Sequence, residues 1–218
     1  MTRKGFDSEL QYLHNDILRM GSIVEKQIHQ SIESLVNQDD NLANTVIKND
    51  DLVDNLQKEI ESKCIILIAR EQPLAIDLRT IFTSIKLVTD LERMADHAVD
   101  IAKIARILKN EKFIKELIDI PKMADIVQNM IKESLDAYVE GNVDKAYDVC
   151  EMDDQIDGIY RRVFNELLPM MTKDSSIVNQ VTQFLFICKY LERVADHVTN
   201  ICEWTIYLVT GEQKDLNE

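Results

Sequence analysis

Glycine and proline are scarce, five and three in 218 residues. So few turn formers cannot punctuate a many-stranded sheet, whereas long amphipathic helices need few. Cysteine is sparse too. Cys64, Cys150, Cys188 and Cys202 form no C-x-x-C pair and sit among apolar neighbours, which reads as reduced core thiols rather than zinc ligands or disulfides. No apolar run approaches the ~18 residues of a membrane span. The N-terminal MTRKGFDSEL has no apolar stretch behind its basic residues, so a secretory signal is not expected and the chain reads as cytoplasmic. Positive charge is in deficit: 25 Lys plus Arg against 39 Asp plus Glu give a formal charge of −14. Nucleic acid is therefore excluded as a main partner, since its binding needs a basic stripe. Cations or a basic protein suit this surface better, and so does plain solvation. Nothing points to an enzyme, because no G-x-S-x-G, no Gly-rich phosphate loop and no Cys/His nucleophile pairing occurs.

What is present is helical periodicity, written twice. Val46, Val53, Leu56, Ile60 and Leu67 recur at helical spacing, as do comparable sets elsewhere. Breaks are expected at Asn37 to Asp40, at Pro73 and at Asn110 to Lys112. Pro121 opens a fourth helix, Gly141 and Asn142 close it, Pro169 with Lys173 to Ser176 closes a fifth, and Gly211 ends a sixth. The stretch LERMADHAVDI at 91–101 returns as LERVADHVTNI at 191–201, an offset of 100, and 35–54 aligns with 138–157 at an offset of 103. The expected fold is all-α. Six long helices form two tandem, similar three-helix antiparallel bundles, residues 1–112 and 113–218, lying side by side.

Carboxylates recur at four-residue spacing. On a helical wheel Leu91, Ala95, Ala98 and Ile101 gather on one side, with Glu92, Asp96 and Asp100 roughly opposite. Glu192, Asp196 and Asn200 repeat that stripe, and the preceding helix of each half adds Asp50 with Asp54 and Asp153 with Asp157. Acids on an outer helix face are ordinary, so a solvated face is one reading. Like charges at i and i+4 repel by a few tenths of a kcal/mol, however, and both copies keep them. A second reading is thus a cation site, if neighbouring helices bring the pairs together. Oxygen donors would suit Mg²⁺, Ca²⁺, Mn²⁺ or iron. The Glu-x-x-His of di-iron bundles is absent. His97 and His197 follow Asp96 and Asp196 directly and point about 100° away, which favours capping or inter-helix hydrogen bonding over ligation.

Two copies of L-E-R-x-A-D-H, the element QPLAIDLR at 72–79 and the doubled three-helix layout resemble the PhoU family over essentially the whole chain. The repeats fall near residues 7 to 109 and 121 to 210. That resemblance implies an all-helical, cytoplasmic and often dimeric regulator without catalytic residues. It would damp phosphate uptake and phosphate-starvation signalling by contacting the ATPase of a phosphate ABC transporter and a sensor histidine kinase, reaching the membrane only through these partners. It further implies E(D)-x-x-x-D metal motifs, which fall on Asp50, Asp54, Glu92 and Asp96, and on Asp153, Asp157, Glu192 and Asp196. Asp100 and Asn200 extend them. Iron, zinc, manganese, magnesium and calcium are all candidates, and the neutral Asn200 should make the second site weaker or different. Metal storage or metal-dependent phosphoester hydrolysis on the same scaffold is the alternative.

Overall fold

A computed structural model describes residues 3–216. Its α-helices are α1 (Arg3–Val36), α2 (Asp40–Lys48), α3 (Asp50–Glu71), α4 (Ala75–Leu108), α5 (Asp119–Glu140), α6 (Val143–Glu151), α7 (Asp153–Lys173) and α8 (Val178–Thr210). No strand occurs among the described residues, and a single 3-10 turn, Ser175–Ile177, leads into α8. The rods number six, as the periodicity predicts, but the second rod of each half is broken in two.

Those breaks lie at Asn49 and Met152, equivalent positions at the 103 offset. Both residues keep right-handed backbone angles, so the axis bends without reversing. In the first half Gln27 of α1, almost fully buried, donates its side-chain amide at 3.2 Å to the Asn49 carbonyl, which also accepts from the Leu52 amide. Each break places two aspartates, Asp50 with Asp51 and Asp153 with Asp154, in the first turn of a new helix. There the N-terminal dipole favours negative charge by about 0.3–1 kcal/mol.

Helix ends show why the two halves match. Asp39 Oδ1 caps α2 by accepting from the Asn41 and Leu42 amides, and Asn142 Oδ1 does the same for α6 from Lys145, each cap worth about 1 kcal/mol. Just before these, the chain turns through the left-handed region at Gln38 (φ 51°) and Gly141 (φ 62°). Glycine takes that conformation without strain. Gln38 is instead anchored there, its amide nitrogen reaching the carbonyls of Leu108 and Glu111 at 3.0 and 2.8 Å. One expected boundary moves: Pro169 lies inside α7, which runs on to Lys173. Being within the last two turns, it forfeits one backbone bond where few helical turns remain to be disrupted.

α4 and α8 are the central pair. They run antiparallel, as Phe82 against Trp204, His97 against Tyr190 and His97 against His197 show. α1 covers α4, α5 covers α8, and α1 meets α5, so four helices from both halves enclose one continuous apolar core. Polar contacts cross the halves too: the Tyr138 hydroxyl meets that of Ser84 at 3.1 Å. The 109–118 connection is pinned by the buried Gln180, which accepts from the Ile114 amide and donates to Glu111 and the Lys112 carbonyl. α3 and α7 lie outside this square, on α4 and α8 respectively. That placement brings the acidic pairs face to face. The cysteines are free, three of them buried and Cys150 half-buried.

Candidate functional site

In the first half Asp50 and Asp54 of α3 face Glu92 and Asp96 of α4. Burial raises the pKa of Asp50 first, followed by the charges of Asp96 and Asp54. Glu92 is raised by burial, then Asp96, Asp54 and Asp50. Asp96 is raised by burial, then Asp100 and Asp54. Mutual repulsion across two helices requires them to be neighbours, so the four carboxylates form one cluster. The chain supplies little compensation: Lys58 stands 4.0 Å from Asp54, and Lys103 pairs with Asp100 at 2.9 Å.

The second half repeats the arrangement with α7 and α8. Asp153 is pushed up to about 6, by burial first and then by Asp196, Asp157 and Glu192. Asp196 is raised by burial and then by Glu192. Arg161 holds Asp157 at 2.7 Å and Lys189 holds Glu192. Even so, Asp153 Oδ1 and Glu192 Oε2 are buried without a hydrogen-bond partner. Orphaned carboxylate oxygens beside other carboxylates are the donor chemistry of a hard cation. Among the described residues no three His, Cys, Asp or Glu side chains close into a coordination sphere. The carboxylates thus offer the donor chemistry of a hard cation without closing around one.

The ladder's last rung differs between the halves. Asp100 sits beside Lys103 and raises the Tyr190 phenol after burial does. Asn200 instead donates its amide to Asp90 of α4 at 3.1 Å, and His197 Nδ1 meets the same Asp90 oxygen at 2.9 Å. Asp90 and Tyr190 are equivalent at the 100 offset, so each half's Asp100 or Asn200 faces the other half's residue 90 or 190. Nothing in the sequence singles out Asp90, and only the antiparallel seam reveals its partners. His97 stacks on Tyr190 and His197, at ring-centroid distances of 5.4 and 5.9 Å. Both histidines thus belong to the α4–α8 seam.

A family model described as PhoU domain matches the chain twice, at residues 17–105 and 120–205. The chain belongs to the PhoU family. A Clostridium acetobutylicum protein called phosphate-specific transport system accessory protein PhoU homolog is 58% identical over 219 residues, covering 100% of both chains. A Caulobacter vibrioides protein of the same description is 38% identical, over 97% of this chain and 93% of that one. The crystal structure of PhoU from Pseudomonas aeruginosa superposes with a TM-score of 0.91 at 34% identity, over 95% of this chain and 100% of that one. That of the phosphate transport system regulatory protein PhoU from Streptococcus pneumoniae gives 0.90 at 34% identity, over 96% and 99%. Among the described residues no helix is long and apolar enough to cross a membrane.

Proposed function

We propose that this PhoU-family chain is a regulatory accessory protein of a phosphate-specific transport system, acting in the cytoplasm without chemistry of its own. The observation that carries this reading is the full-length similarity to proteins so described, at 58% identity over the whole chain. The finer reading is that of an adaptor, homodimeric, joining the transporter's ATPase to a sensor histidine kinase. Two half-buried acidic clusters, each shared between neighbouring helices, suit recognition better than turnover.

Metal ions belong to this proposal. Asp50, Asp54, Glu92 and Asp96 would hold one group of ions, with Asp100 at its edge, and Asp153, Asp157, Glu192 and Asp196 the other. A bound ion would supply positive charge that relieves the repulsion among these carboxylates and fixes α3 on α4 and α7 on α8. Support comes from the two buried, unpartnered oxygens of Asp153 and Glu192. Asn200, whose amide nitrogen donates to Asp90, would join the edge of the second group through its amide oxygen, as a neutral counterpart of Asp100.

The test is genetic. In phosphate-rich medium, deleting the gene should derepress a phosphate-starvation reporter, and the wild-type chain should restore repression. Normal repression in the deletion strain would refute the regulatory reading. Co-purification with the transporter's ATPase and with the kinase then separates the two partners.

A further inference from the structure

Large apolar side chains are exposed at equivalent places in the two halves. Ile65 on α3 and Leu168 on α7 correspond at the 103 offset and are 63% and 46% exposed; Leu78 on α4 and Val178 on α8 correspond at the 100 offset and are 43% and 40% exposed. Isolated exposed apolar residues need no explanation. The same positions kept apolar and exposed in both halves do, because nothing inside the fold requires them.

Their register ties them to the acidic clusters. At about 100° per residue, Ile65 lies within about 20° of Asp54 on α3, and Leu78 within about 40° of Glu92 on α4. Leu168 and Val178 stand in the same relation to Asp157 and Glu192. Each half therefore presents a strip on two neighbouring helices, carboxylates at one end and aliphatic side chains at the other. From Asp54 to Ile65 the strip runs roughly 17 Å along α3, about the length of a three-turn helix. Because α4 and α8 are antiparallel, the two strips point in opposite directions.

We propose that, in the metal-free chain, each strip docks a cationic amphipathic helix of a partner protein, its Lys or Arg residues on the carboxylates and its aliphatic face on Ile65 and Leu78, or on Leu168 and Val178. This rests on the regulatory reading above and names the chemistry of the partner segment. Charge selects the occupant. A second copy of this chain carries −14 and the same acidic strips, so like charge would meet like; an anionic bilayer is repelled for the same reason. A basic helix finds complementary charge at one end and apolar surface at the other, the helix-in-groove mode of recognition. Two oppositely directed strips fit a partner that offers two copies of one segment.

The probe is a synthetic helical peptide of about 16 residues, Lys-rich in its first turns and Leu-rich in its last on a single face, with a scrambled peptide of identical composition as control. Titration calorimetry on the full chain should show one peptide per half, bound at least about tenfold tighter than the scramble. In EDTA-stripped protein, Ile65→Asp/Leu78→Asp should remove one site and Leu168→Asp/Val178→Asp the other, with helicity by circular dichroism unchanged. Mn²⁺ should weaken binding by competing for the carboxylates. Equal affinity for the scramble, or no loss in either double variant, overturns the proposal. So does a change confined to sedimentation, which would assign the strips to self-association, or to flotation with phosphatidylglycerol vesicles, which would assign them to membrane. Unaltered phosphate repression in the deletion strain would sink the regulatory reading while leaving peptide binding as measured.

Discussion

Asn200 donates its amide to Asp90 across the α4–α8 seam, whereas the equivalent pair in the other half is Asp100 and Tyr190. The two substitutions compensate each other. An aspartate at 200 would set two acceptor-only carboxylates together, while Tyr190 presents a phenol that tolerates Asp100. Asn200→Asp should therefore destabilise the protein by about 1–3 kcal/mol. The exchange Asp90→Asn/Asn200→Asp restores an amide–carboxylate pair and should recover most of that loss. Denaturant unfolding of the two single variants and the double completes the cycle, and additivity would disprove the pairing.

Opposing titrations meet in this region. Asp153, ordinarily 3.8, is raised to about 6 by burial and neighbouring acids. Its contribution to stability is full below pH 3.8 and is lost as pH rises through about 6. His97, ordinarily 6.5, is lowered to about 4 by burial and then by His197. It disfavours folding where the unfolded imidazole takes a proton, so stability is gained as pH rises from about 4 to 6.5. The two slopes partly cancel in the metal-free protein. Asp153→Asn should unmask a rise in melting temperature between pH 4 and 6.5, and His97→Gln a steeper fall between pH 4 and 6. Near neutral pH, Asp153→Asn should stabilise by on the order of 1 kcal/mol after allowance for solvent screening. Scans in EDTA across that range decide it.

How much of this the sequence carried depends on how local the cause is. The offsets of 100 and 103, the carboxylate pairs and the turns at Gly141 and Gly211 follow from spacing and residue type, and all are visible in the chain. The breaks at Asn49 and Met152 are not. Neither residue is a helix breaker, both keep right-handed angles, and the amide that holds Asn49 comes from Gln27 on another helix. The acidic stripe reads as an outer face on a single helical wheel, because only the docking of α3 on α4 and α7 on α8 half-buries it. Asp90 and Asn200 lie 110 residues apart and become partners only through the antiparallel seam. Pro169 reads as an end, yet α7 continues through it.

Gly21 marks a close approach between the halves. It lies within α1, where alanine would normally gain about 1 kcal/mol in helix propensity. A Cβ there would run into Leu135 Cδ1 of α5, a side chain only 6% exposed. Gly21→Ala should therefore fail to stabilise, and Gly21→Val should cost roughly 1–3 kcal/mol through overpacking. Leu135→Ala alone should cost about 2–4 kcal/mol by leaving a cavity. Combined with Gly21→Val it should cost less than the sum, because each change makes room for the other. Thermal unfolding of the four proteins measures that coupling.

Metal binding, if the clusters take cations, should be distinguishable half by half. Each half holds four mutually repelling carboxylates, and the second also has two orphaned oxygens, on Asp153 and Glu192. Its cluster carboxylates are held by direct ion pairs with Arg161 and Lys189, whereas in the first half Lys58 stands 4.0 Å from Asp54 and Lys103, bonded to Asp100, eases Asp50 and Asp96 only through its charge. A divalent ion must displace those internal cations, so the first half should load at lower concentration. In EDTA-stripped protein, added Mn²⁺ should raise the melting temperature in two steps. Glu92→Ala/Asp96→Ala should abolish the first and Glu192→Ala/Asp196→Ala the second, with matching losses in elemental analysis. Removing Lys189 by Lys189→Met should shift the second step to lower Mn²⁺, an effect that a purely structural role for the acids would not produce. Unchanged metal content in both double variants would mean that the repeated carboxylates serve solvation alone.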